Sequence, residues 1–132
     1  MQPTRKIAEA AERTELARLG EDAAARHLAD AGYVVIGRNV RIGDDEADIV
    51  AVTPDGALAV VEVKSRRGPW HPEDRVDAVK RGNLLRLAAA LAERPEHRDR
   101  LFRFDVVSVA VTARGTEIIH WPHAFDASGT PW

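Results

Sequence analysis

The chain has 132 residues, 45% apolar and 30% charged, which fits one compact domain and excludes disorder of the whole chain. It holds no cysteine, so disulfides, thiolate zinc sites and cysteine nucleophiles are excluded, and a reducing compartment is compatible. The net charge of −2 argues against indiscriminate binding to nucleic acid; no apolar run approaches the ~20 residues of a membrane span, so the sequence reads as a soluble cytoplasmic protein.

Residues 7–31 are rich in Ala, Leu and Glu and contain no proline, which predicts a helix with its first dozen residues frayed or folded as a separate turn. Leu16, Leu19, Ala23, Ala24, His27 and Ala31 gather on one face, and Gly32 follows as a stop. Residues 33–40, 46–52 and 58–64 are dense in β-branched residues and predict three strands. Residues 65–72, with Gly68, Pro69 and Pro72, read as a loop. A second helix is predicted over 74–93, with Val76, Leu84, Leu87 and Leu91 on one row and Pro95 closing it. Residues 102–111 form a strand too apolar for a sheet edge, and 116–121 add another. The tail from Pro122 reads as loose. One domain results, with its core over about 15–121. The three short-linked strands form a meander, and the second helix carries the chain to a parallel strand. The fold class is α/β: a mixed central sheet with helices packed on it.

The turn at Thr53-Pro54-Asp55-Gly56-Ala57 sets which side chains meet. Pro suits the second position of a type I turn, and Gly supplies the left-handed residue of a three-residue loop with a G1 bulge. Paired positions then sum to 110, so Asp48 faces Glu62 and Glu46 faces Lys64, all on one side of the hairpin. A two-residue Asp55-Gly56 turn shifts the sum to 111 and sets Asp48 against Val63. In the first register two carboxylates lie roughly 5 Å apart at their β-carbons. That is costly unless a cation or proton lies between them. Hard divalent cations such as magnesium take this kind of oxygen ligand. The plainer account is an exposed sheet face on which Glu46 and Lys64 balance the charge.

Charge is unevenly spread. Residues 64–103 carry 11 Lys and Arg and 6 Asp and Glu, a net of +5 against −7 for the rest. Carboxylates that hold metal beside cations that hold phosphate fit this split, as does a solvated helix of mixed charge. Gly20 costs about 1 kcal/mol within a helix unless close packing needs the missing side chain. It therefore suggests a helix pressed to the sheet and aiming Glu21 at the site; a solvated glutamate is the alternative. Lys80 falls in the row of Val76, Leu84, Leu87 and Leu91, where a lysine either snorkels or reaches a polar pocket. Asp105, inside an apolar strand, suggests a structural pairing with Arg103 or Arg38. Trp70 and His71 suit base stacking or simple burial in a loop. His120 and His123 lack the further ligands of a zinc site.

The order carboxylate, hairpin, Glu-x-Lys resembles the PD-(D/E)XK nuclease superfamily, with Asp48 as the Asp and Glu62-Val63-Lys64 as the (D/E)-x-K element. More narrowly, the sequence resembles the YraN family of small bacterial proteins. The resemblance runs through Gly20-Glu21-Asp22-Ala23-Ala24, Gly32-Tyr33, Arg38-Asn39, residues 46–50, residues 61–66, Val79-Lys80 and residues 103–107. Asp45 stands where that family usually has Gly. The resemblance implies a restriction-endonuclease-like αβββαβ core and a magnesium- or manganese-dependent endonuclease acting on branched, flapped or damaged DNA. It implies metal ligands Asp48, Glu62, the Val63 carbonyl and Glu21, and catalytic roles for Asp48, Glu62, Lys64, Glu21 and Lys80. The basic stretch then supplies Arg66, Arg67, Lys80 and Arg81 for nucleic acid. A junction-cutting enzyme is further expected to dimerise. The alternative is a non-catalytic nucleic-acid or protein-binding module that retains the fold.

Overall fold

The computed structural model describes residues 4–71 and 76–126. Its order is α1 (Arg5–Asp30), β1 (Val34–Ile42), β2 (Asp45–Val52), β3 (Leu58–Arg67), α2 (Ala78–Ala92), a 3-10 turn (Pro95–His97), β4 (Phe102–Thr112) and β5 (Gly115–Phe125). This is the mixed α/β arrangement of the restriction-endonuclease-like core. The five strands lie in sequence order. β1, β2 and β3 form an antiparallel meander, β4 runs parallel to β3 through the α2 crossover, and β5 returns antiparallel. β4 is paired on both sides and so is not an edge strand, as its apolar character predicts.

Strand alternation divides the core into two layers. Val50, Leu58, Val60, Phe104 and Val106 pack with Leu84, Leu87 and Leu91 of α2. Ile49, Ala51, Ala59, Val61, Val107 and Val109 pack with Ala24 and Leu28 of α1 on the opposite face. Burying one medium apolar side chain is worth about 1.5–3 kcal/mol, so these two layers carry most of the stabilisation.

Four boundaries differ from expectation. α1 is continuous from Arg5, because Thr4 caps it by accepting from the Ile7 N–H. Its buried face is Gly20, Ala24 and Leu28, whereas Leu19 and Ala31 are exposed. β3 runs on to Arg67, since its ladder with β4 continues through Ser65–Val109, Arg66–Ala110 and Arg67–Val111. β5 passes through Pro122 to Phe125, which stacks on Phe104 at 4.8 Å. α2 starts at Ala78, where the Asp77 side chain accepts from the Lys80 N–H at 2.8 Å. The expected helix start at Asp74, and Pro72, lie outside the described residues, as does the tail beyond Asp126.

Candidate functional site

The β2–β3 turn closes as the Pro54-Asp55-Gly56 chemistry demands. Gly56 adopts φ 89°, the Thr53 N–H donates to the Ala57 carbonyl at 2.8 Å, and the Gly56 N–H donates to the Thr53 carbonyl at 2.9 Å. The resulting pairs, from Val52–Leu58 to Ile49–Val61, all sum to 110. The alternative register is thereby excluded. Ladder pairing stops at Ile49–Val61; one step on, the Val63 N–H donates to Asp48 Oδ2 at 2.7 Å. The turn thus delivers Asp48 and Glu62 to the open end of the hairpin. Glu46, expected against Lys64, is instead ion-paired with Arg41 of β1 at 2.9 Å.

Each helix contributes to the same end of the sheet. In α1, Gly20 lies against β3: a Cβ there would overlap Ser65 Oγ and come within 2.8 Å of Ser65 Cβ. That contact draws Glu21 to the rim of a cleft of about 310 Å³ shared with Arg13, Leu16, Asp48, Val63 and Lys64. Glu21 is held there by Arg38 Nε at 3.1 Å and Asn39 Nδ2 at 3.0 Å. From α2, Lys80 reaches inward, donating to the Glu46 carbonyl at 2.8 Å and approaching Glu62 Oε2 to 3.5 Å. Lys64 Nζ lies 3.9 Å from Glu62 Oε1. The remaining expected cations are engaged within the fold. Arg67 pairs with Glu12 at 3.6 Å, and Arg81 donates to the Val76 carbonyl at 2.7 Å. Arg66 lines a neighbouring cavity.

Glu62 is 7% exposed. Burial, then repulsion from Asp48, pushes its carboxyl up to about 7, against the pull of Lys80 and Lys64. Burial also raises Asp48, partly offset by the Val63 N–H. Glu62 Oε2 is fully buried and has no hydrogen-bond partner among the described residues, the Lys80 ammonium being too distant for a well-made bond. Two crowded carboxylates, one with an undonated oxygen, have a deficit of positive charge. Among the described residues no three acidic or imidazole groups converge on a ready-made cage. Magnesium does not need one, because it binds through one or two carboxylates and keeps several waters. The donor set therefore fits a hard divalent cation.

A second polar cluster, around Asp105, is larger than the pairing expected from the sequence. Asp105, fully buried on β4, accepts from Tyr33 Oη at 3.0 Å, from Arg103 Nε and Nη2 at 3.0 and 2.9 Å, and from the His123 N–H at 3.2 Å. His120 Nε2 lies 2.8 Å away. The expected Arg103 partner is present, and Arg38 is instead committed to Glu21 and Asp22. The lone aspartate in an apolar strand was the available signal; the histidine and tyrosine partners come from sequence-distant elements. This cluster packs with the α1 layer, and His120 lies against the Asp105 carboxylate there.

Comparison with known proteins adds a lineage to this geometry. The chain is 43% identical over 122 residues to a UPF0102 protein of Syntrophotalea carbinolica, covering 89% of this chain and 97% of that protein. It is 40% identical over 119 residues to one from Roseiflexus castenholzii, covering 86% and 95%. A third, from Streptomyces griseus, is 45% identical over 111 residues, covering 80% and 91%. The model of the uncharacterised protein family UPF0102 matches residues 20–109, a span that contains Glu21, Asp48, Glu62, Lys64 and Lys80. The chain belongs to that family, UPF0102, also called YraN.

Proposed function

We propose that the protein is a divalent-metal-dependent nuclease that hydrolyses phosphodiester bonds in DNA, with branched, flapped or damaged substrates as its targets. One observation carries the reading: Asp48 and Glu62 meet at the open end of the β2–β3 hairpin, both with raised proton affinity, with Lys64 beside them. Carboxylates so crowded are a recurrent mark of functional sites. Magnesium or manganese, held by Asp48, Glu62 and the Val63 carbonyl with Glu21 at the rim, would neutralise a phosphate and lower the pKa of an attacking water. Lys64 presents a point charge to the developing negative charge on the phosphate or orients the water. Lys80, fixed on the Glu46 carbonyl, steadies the ionised form of Glu62. Arg66, two residues beyond Lys64, extends the same strand face towards bound nucleic acid.

A non-catalytic binding module is the competing reading, and one observation favours it. Lys80 already places a cation 3.5 Å from Glu62, so the site is partly compensated without metal. Purified protein incubated with a four-way junction, a flap, a nicked duplex and RNA, with Mn²⁺, Mg²⁺ or chelator, separates the two. The nuclease reading expects metal-dependent cleavage of at least one DNA substrate and its loss by two orders of magnitude or more in Asp48→Asn. No cleavage at high enzyme and low salt rejects it. Calorimetric Mn²⁺ binding that disappears in Asp48→Asn supports the metal assignment.

A further inference from the structure

The face of the sheet that carries Glu62 and Lys64 continues past the catalytic candidates. By ladder register, Glu62 stands beside Val106, which stands beside Trp121. Lys64 stands beside Ser108, which stands beside Ile119. Small residues in the middle column leave a hollow of about 70 Å³, bordered by Lys64, Trp70, Ser108 and Glu117. Lys64 and Ser65 line both this hollow and the cleft that holds Asp48, so the two spaces adjoin. Trp70, from the segment after β3, leans on Trp121 with ring centroids 5.6 Å apart. Trp121 nevertheless stays 41% exposed, and Ile119 beside it 40%. Ser108 Oγ is buried at the floor of the hollow and has no hydrogen-bond partner among the described residues.

These features ask for a ligand with a flat apolar face and a polar edge. Two tryptophans offer a stacking surface, while the Ser108 hydroxyl and the Glu117 carboxylate are matched to an edge that carries N–H and C=O groups. The hollow amounts to a few water volumes, which admits the rim of one heterocycle and excludes a base pair. Lysine and arginine at the border suit the phosphates on either side. We propose that Trp70 and Trp121, with the adjoining hollow, form a stacking subsite for one unpaired nucleobase beside the Asp48–Glu62 site. The subsite deepens the nuclease reading and rests on it for its meaning: the strand that is cut is single-stranded next to the scissile phosphate, as in a flap or a frayed junction.

The test is binding in the presence of chelator, where cleavage plays no part. A fluorescein-labelled, mixed-sequence single-stranded oligonucleotide of about ten nucleotides, comparable to single-strand site sizes, and a blunt duplex of the same length are titrated with full-length protein. Trp121 is exposed enough for substitution, and circular dichroism confirms the fold of each variant. Trp121→Ala is expected to weaken single-strand binding about tenfold and leave duplex binding unchanged, while Trp121→Phe retains most of the affinity, as stacking on a smaller ring requires. Equal losses on single strand and duplex, or no loss in Trp121→Ala, overturn the subsite. So does a wild-type protein that binds no oligonucleotide, which would make the patch a protein-docking face. The nuclease reading fails separately: single-strand binding lost in Trp121→Ala, with no metal-dependent cleavage in the wild type, sustains the subsite and rejects the nuclease.

Discussion

Glu62 shows what a buried carboxylate crowded by another costs its fold. Its folded pKa of about 7 lies above the ordinary value of 4.5, so the folded chain holds a proton that the unfolded chain has released between these pH values. Stability therefore falls as pH rises from about 4.5 to 7 and stays lowered above. In metal-free protein, Glu62→Gln should raise the melting temperature at pH 8, by about 1–3 kcal/mol of stability, and leave it unchanged near pH 4. Thermal denaturation in chelator at the two pH values decides, and an unaltered midpoint at pH 8 would contradict the strained-carboxylate account. Gly20 makes a different demand. With Ser65 Cβ only 2.8 Å from where a methyl would stand, Gly20→Ala should cost about 1–3 kcal/mol in urea denaturation, and Ser65→Gly should recover part of it. Both residues were legible in the sequence for physical reasons. The turn fixes the register of Asp48 and Glu62, and a glycine inside a helix calls for a close neighbour. That Glu21 would be clamped by Arg38 and Asn39 was not legible, because it depends on how α1 lies across β1.

At the scale of elements, Asp105 ties together the α1–β1 junction through Tyr33, β4 through Arg103, and β5 through His120 and the His123 N–H. Burial alone would raise its pKa, but His120 and Arg103 outweigh it and hold the carboxyl at about 2. Burial and the nearby Asp105 charge push the Tyr33 hydroxyl up to about 12, so it stays a donor throughout the physiological range. Because the folded pKa of Asp105 lies below the ordinary 3.8, the anchor is fully present above about pH 4 and is lost as pH falls towards 2. Asp105→Asn should lose about 3–5 kcal/mol at pH 7, since it leaves the Arg103 charge buried without its partner. The acid limb of its stability profile should also flatten between about pH 4 and 2, which urea melts across that range would reveal. At α2, removing the cap in Asp77→Ala should cost about 1 kcal/mol by the same measurement. The lengthened β3 and β5 were hidden in the sequence for one shared reason. Gly68 and Pro69 mark a real bend but not where the strand before it ends, and Pro122 reads as a break; pairing with β4 carries β3 on to Arg67 and β5 through Pro122.

For the whole molecule, the strand order and the parallel step through α2 were readable, because short connections and a helical crossover leave few topologies open. The surplus of cations over residues 64–103 was readable as a number but not as a surface. Arg86 pairs with Asp45, Arg103 with Asp105, and Arg100 donates to the Gly56 carbonyl, so much of the surplus is consumed in holding elements together. What remains near the site should still govern nucleic-acid affinity. Single-strand binding should weaken steeply between about 50 and 200 mM salt, and binding insensitive to salt would contradict any phosphate contact. The rims of the sheet carry a last consequence. On β5 the strand is interrupted by Pro122, which has no N–H to offer a newcomer, and by His123 at φ 52°. On β1 the opposite rim presents Arg38, Asn39 at φ 49° and Arg41. These two stretches are poor templates for adding a strand, although β1 also exposes Val34 and Ile36 nearer its start. Two copies that met on a two-fold symmetric substrate would not extend the sheet through these stretches, which leaves their helices and sheet faces to meet.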